Sequence, residues 1–114
     1  MFASNEYDQG DIIAQKSFEI NYPIKISEAI QKAEPLYFEL VDEIFTKIQS
    51  GEELNATKQD ESKATYSLWL DSEDYFIDWS WSAEKIKRFV DAVGYPYDNA
   101  KAYLNDEVVK FLDV

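Results

Sequence analysis

The longest stretch of helical periodicity begins near Ile26. Ile26, Ala29, Ile30, Ala33, Tyr37, Leu40, Val41, Ile44, Phe45 and Ile48 recur at steps of three and four. The spacing predicts a helix capped by Ser27 and reaching about Ser50, with a wide apolar stripe. Pro35 falls inside the pattern and removes one helical hydrogen bond, so a kink or a split is expected there. Gly51 stands where a left-handed residue closes a helix. A second helix is predicted after Ser82, its N-cap, with Glu84 in the first turn, where a negative charge suits the dipole. Ala83, Ile86, Val90 and Val93 keep helical spacing, Gly94 stops the helix, and Pro96 prevents its restart.

Period-two patterns predict the strands. Residues 11–20 have an apolar centre at Ile12, Ile13 and Ala14, and then Phe18 and Ile20 alternate with Ser17 and Glu19. Tyr75, Phe76 and Ile77 read as a short strand entering a turn, and residues 64–70 as extended. Residues 99–104 and 108–112 read as two strands around Asn105, Asp106 and Glu107. Turn formers dominate residues 1–10, Pro23 breaks a connector at 21–26, and residues 52–63 form a polar linker. The acids of residues 71–74 lack the glycine and distal glutamate of a calcium loop, so they read as a solvated turn and no metal site is predicted.

Composition narrows the chemistry. The chain has 114 residues, enough for one small domain with a modest core. Histidine and cysteine are both absent. That removes the commonest general base and metal ligand, and with them any disulfide or thiolate site. No apolar run is long enough for a bilayer and no signal peptide is visible, so a cytoplasmic, membrane-free setting is expected. Acids number 23 against 11 basic residues, a formal charge of −12. Such a surface repels phosphate backbones, so nucleic acid is not an expected partner of this part of the molecule.

Residues 59–97 hold all the tryptophans, Trp69, Trp79 and Trp81, and four of the tyrosines. Gln59-Asp-Glu, Ala64-Thr-Tyr66, Ile77-Asp-Trp79, Ser82-Ala83, Ile86, Arg88 and the aromatic-Pro-aromatic close at Tyr95 to Tyr97 resemble the enzymes that use 10-formyltetrahydrofolate to formylate an amine. The segment Asp8-Gln-Gly10-Asp-Ile12-Ile13-Ala-Gln15 is a second match in the same order. Alone, Asp8 would read as a turn cap, since short motifs are weak; with both motifs, the catalytic reading is favoured.

The resemblance covers almost the whole chain, while the chain would cover less than half of a family member. It implies an α/β fold: the C-terminal part of a Rossmann-like formyltransferase domain running into the start of a small β-rich C-terminal domain. The implied divisions are residues 1–58, the end of the catalytic domain; 59–98, a linker and helical hinge; and 99–114, the start of the C-terminal domain. The family's chemistry uses an asparagine, a histidine and an aspartate. By the match Asp8 is the catalytic aspartate, and Glu6, Tyr7 and Asp8 lie beside the pterin of 10-formyltetrahydrofolate. Trp81 and Tyr97 are candidates for stacking on a substrate base, whereas Trp79 is expected in the interior.

The leading expectation is therefore a fragment of an enzyme that formylates a nucleotide-linked amino sugar, with a homodimer open to the full-length parent. Methionyl-tRNA formyltransferase is the alternative within the family. A non-catalytic interaction domain of the same fold is the alternative of another class.

Overall fold

The computed structural model describes all residues, 1–114. Its regular elements, in chain order, are helix α1 (Ile26–Gln49), a single 3-10 turn (Glu61–Lys63), helix α2 (Ala83–Val93), and strands β1 (Ala100–Leu104) and β2 (Glu107–Phe111). The fold is thus small α/β. The chain divides into two compact units: residues 1–18 with 32–67, and residues 19–31 with 68–114. The division falls within α1.

Helix α1 departs from expectation at its start, and of the kink or split expected at Pro35 the split does not occur. Ser27 is not the cap, because the helix already begins at Ile26. The carbonyl of Lys25 accepts from the amides of Glu28 and Ala29, and the Glu28 carboxylate accepts from the Lys25 amide at 2.9 Å. This is the return half of a capping box, made without a hydroxyl at the cap. Pro35 does not split the helix, which is assigned unbroken through it. One missing N–H is a small loss in 24 residues that include good helix formers such as Ala33, Leu36 and Leu40. The C-terminus meets expectation. Gly51 has φ +73°, its amide donates to Ile48, and the Glu52 amide donates to Lys47, the paired bonds of a Schellman motif.

In the first unit the apolar stripe of α1 is only partly covered. Ala33, Leu36, Leu40 and Ile44 are half-buried. Tyr37, Phe38, Val41, Phe45 and Ile48 are exposed, with Phe38 at 76%. The predicted strand at 11–20 does not form. Only Ile12 pairs, in an antiparallel bridge with Thr57 through bonds of 2.8 and 2.9 Å. Phe18 and Ile20 are exposed. A strand is made by its neighbour, and beyond Thr57 no neighbour continues the ladder here.

The second unit holds the core. Ile77, Val90, Val93 and Ala100 are buried together, with Tyr75, Ile86, Phe89 and Phe111 packed around them. The spacing of Ile86, Val90 and Val93 turns one face of α2 onto this cluster. Ser82 caps α2 as expected, its hydroxyl accepting from the Lys85 amide at 3.3 Å. β1 and β2 pair in antiparallel register, Ala100 opposite Phe111 and Leu104 opposite Glu107. The two connecting residues, Asn105 and Asp106, have φ of 50° and 66°. Both lie in the left-handed region, as a type I′ hairpin turn requires. On its other edge β1 meets the short segment at Phe76 in a parallel bridge, with Ile77 donating to Lys101 and Lys101 to Tyr75.

Asp98 links the two strands of the hairpin. Lys101 and Lys110 both donate to its carboxylate. The hydrogen bond from Lys101, then that from Lys110, holds the carboxyl down at about 2. A depressed carboxyl stabilises the fold above its unfolded value, about 3.9, and that contribution is lost as pH falls through its folded value. The hairpin should therefore lose stability between about pH 4 and pH 2. In Asp98→Asn this acid-dependent loss should be largely gone. Amide exchange of β1 and β2, measured across this range in both proteins, checks it. An equal acid response in the variant would show that other carboxylates control the hairpin.

Candidate functional site

Asp8 sits on a loop closed by backbone and side-chain bonds. The Phe2 amide donates to the Asp11 carbonyl at 3.0 Å, and the Ile12–Thr57 bridge fixes the exit. Gly10 is buried at the crossing. A Cβ on Gly10 would lie 1.8 Å from the Phe2 carbonyl oxygen, so no side chain fits there. The Gln59 carboxamide nitrogen donates to the carbonyls of both Asp8 and Gly10, each at 2.7 Å. Asp8 itself has φ 57°, a left-handed conformation that aspartate adopts more readily than most residues.

The side chains the loop presents are exposed. Glu6, Tyr7 and Asp8 all face solvent, Tyr7 at 99%. The Asp8 carboxylate makes no hydrogen bond and no ion pair within the chain. Such a carboxylate can accept a proton or orient a cationic partner brought to it. The carboxylate is an acceptor and the exposed aromatic ring offers a stacking face, a pair that a planar ring with N–H donors along one edge can use. Glu6, Tyr7 and Asp8 line neither the cleft at Tyr22 and Phe89, nor that at Phe18 and Leu36, nor that at Pro23 and Asp91, nor that at Phe76 and Trp79.

The structure gathers Glu6, Tyr7, Asp8 and Gln59 in the first unit, while Trp81 and Tyr97 belong to the second. The expected exposures of the tryptophans are reversed. Trp79 is 64% exposed, touching Phe111 edge-on at 6.1 Å. Trp81 is half-buried, edge-on to Phe89 at 5.2 Å, with the Lys85 ammonium 3.9 Å from its ring centroid. Asp78 causes this. Its carboxylate accepts from the Ser80 amide and its carbonyl from the Trp81 amide. The resulting turn leaves Trp79 outside and folds Trp81 onto α2. Tyr97 is half-exposed, its amide bonded to the Gly94 carbonyl.

Aromatic residues line two of the clefts in the second unit. One, of about 360 Å³, runs between Tyr22, Ile26 and Phe89, with Lys25 and Arg88 in its lining. The other, of about 520 Å³, is lined by Phe76, Trp79 and Tyr103, with Phe76 stacked on Tyr103 at 4.9 Å. The acids of the 71–74 turn are engaged locally. Asp71 accepts from the amides of Glu73 and Asp74, and Asp74 from the amide of Asp71. No three acidic side chains converge as a metal site, and no helix is long and apolar enough to cross a membrane.

Residues 70–114 match the family described as formyl transferase, C-terminal domain. The chain is also similar to curated relatives along nearly its full length. It is 30% identical over 110 residues to the methionyl-tRNA formyltransferase of Syntrophomonas wolfei, covering 96% of this chain and 35% of that protein. It is 34% identical over 109 residues to that of Thermotoga neapolitana, covering 92% of this chain and 33% of that protein. The methionyl-tRNA formyltransferase of Thermotoga maritima is 31% identical over 113 residues, 96% of this chain and 34% of its own. The chain belongs to the formyltransferase family. It spans about a third of the length of the curated relatives it matches.

Gln59 is the residue whose role sequence reasoning missed. It opens the Gln-Asp-Glu run that carried the resemblance, but nothing local assigns it a partner. Its partners lie 51 and 49 positions away.

Proposed function

We propose that this chain serves within a 10-formyltetrahydrofolate-dependent enzyme that formylates the amino group of methionyl-tRNA. The observation that carries the reading is its similarity, over nearly all of its length, to several methionyl-tRNA formyltransferases. It replaces the nucleotide-linked amino sugar as the first choice of acceptor. Residues 1–58 are assigned to the end of a Rossmann-like catalytic domain, 59–98 to a hinge and 99–114 to the start of the C-terminal domain, in a cytoplasmic enzyme.

When bound, the cofactor supplies the formyl group. The part of this chain is to hold Asp8 where an attacking amine loses its proton and charge builds on the formyl oxygen. A carboxylate there orients and stabilises a protonated partner, which the chain, having no histidine, does not itself contain. Glu6 and Tyr7 would flank the pterin. Trp81 and Tyr97 remain candidates for contact with the acceptor, Trp81 at the cost of giving up its Phe89 contact.

One observation favours the amino-sugar reading. Most lysines of this chain are already paired: Lys16 with Glu39, Lys25 with Asp113, Lys47 with Glu43, Lys87 with Asp91, and Lys101 and Lys110 with Asp98. Few remain to meet phosphates, so tRNA binding would fall on other parts of such an enzyme.

The longer protein that carries these residues, given 10-formyltetrahydrofolate, should formylate methionyl-tRNA and leave a dTDP-linked amino sugar unchanged. The reverse preference would restore the sugar reading, and no transfer to either would favour the non-catalytic interaction domain. The 114 residues alone should show no turnover above a protein-free control.

A further inference from the structure

We propose that Gln59 is the positioning residue of the Asp8 loop, fixing the direction of the Asp8 carboxylate by bridging the two carbonyls that flank Gln9. The inference rests on the reading of Asp8 as the catalytic carboxylate, and it concerns how that carboxylate is aimed.

A primary amide carries two N–H donors, and the two near acceptors of the Gln59 nitrogen, each at 2.7 Å, are carbonyl oxygens, with Met1 Sδ farther off at 3.8 Å. Carbonyls only accept, so the orientation of the amide is dictated by its surroundings. The bridge grips the loop on both sides of one residue. Asp8 holds a left-handed conformation there, one that aspartate tolerates more readily than most residues and that the bridge helps to select. The Asp8 carboxylate has no bond of its own within the chain, so its aim depends on the loop backbone. Gln59 is brought alongside by Thr57, two residues earlier, through the paired bonds with Ile12. Gly10 supplies the other condition, since any side chain would drive the loop off the Phe2 carbonyl. Gln59 has no place in the chemistry of transfer; it acts through Asp8.

The test compares Gln59→Glu, Gln59→Leu and Asp8→Asn in an active formyltransferase carrying this chain, with amide exchange of residues 8–10 followed in the chain itself. Glutamate keeps the size of glutamine but loses both donors and turns an anion toward two carbonyls. Leucine loses the donors without adding charge, and serves if the glutamate variant fails to fold. Expected are a fall in kcat of about a hundredfold, the scale of a misplacement near 1 Å, and faster exchange at residues 8–10. KM for the amine acceptor should stay within about twofold, because the loop flanks the cofactor rather than the acceptor. Near-native kcat in both Gln59 variants, with Asp8→Asn inactive, overturns the positioning role and leaves Asp8 standing. Near-native kcat in Asp8→Asn overturns the reading beneath it. A Gln59 variant whose KM and melting temperature shift along with kcat would show a general structural role instead.

Discussion

Asp8→Asn, made in an active formyltransferase that carries this chain, should lower kcat about a thousandfold, or by several kcal/mol, and leave KM near its wild-type value. The substitution keeps the shape of the side chain and removes its charge. If the carboxylate supports a positive partner beside a developing oxyanion, the interaction strengthens only in the transition state. The loss then falls on turnover rather than on affinity. The loop should not move, because asparagine also tolerates the left-handed region in which Asp8 stands at φ 57°. Its carbonyl bond from Gln59 belongs to the backbone and survives the change. Steady-state kinetics on the two proteins decides the matter. Retained turnover would make Asp8 a turn residue and remove the carboxylate from the chemistry.

Val90→Ala should cost the second unit about 2–3 kcal/mol, the loss of two methyl groups together with the cavity left behind. Val90 is 2% exposed and is the largest fully buried side chain in the protein. It sits among Ile77, Val93 and Ala100. Against a whole-domain stability of about 5–15 kcal/mol such a loss is large. Val41→Ala, on the exposed stripe of α1, should change stability by no more than about 0.5 kcal/mol. Urea unfolding followed through the amide resonances of α2 compares the two. Equal small effects would mean that the packing around Val90 contributes little.

What the sequence shows well is what is decided locally. Ser82, Ile86, Val90 and Gly94 mark the limits and the buried face of α2 within a dozen residues. Asn105 and Asp106 mark the hairpin because few other residues accept two consecutive left-handed conformations. Gly51 marks the end of α1 for the same reason. What depends on distant partners is misread. Residues 11–20 carry a strand pattern, but a ladder needs a second strand, and only Thr57 answers, at Ile12. Pro35 signals a kink or a split, and the rest of α1 overrides the split. Trp79 and Trp81 differ by two positions, and hydrophobicity cannot tell which one the Asp78 turn will fold inward.

The candidate site follows the same division. Asp8 and Gly10 are visible as a short motif. The clamp from Gln59 is not, because its partners lie some fifty positions away. The amino-sugar acceptor rests on the two motifs together with net charge, and net charge describes the whole surface. The similarity to methionyl-tRNA formyltransferases weighs against that inference.

The placing of the three tryptophans governs how this protein reports on itself in the ultraviolet. Trp69, Trp79 and Trp81 all lie in the second unit, and the first contains none. Trp69 and Trp79 are already in water, so unfolding changes their surroundings little. The emission change therefore comes chiefly from Trp81 as it leaves Phe89 and Lys85. Intrinsic fluorescence follows the start of α2 and is blind to the Asp8 loop. A tryptophan introduced at Tyr7, beside Asp8, would give the first unit a signal of its own.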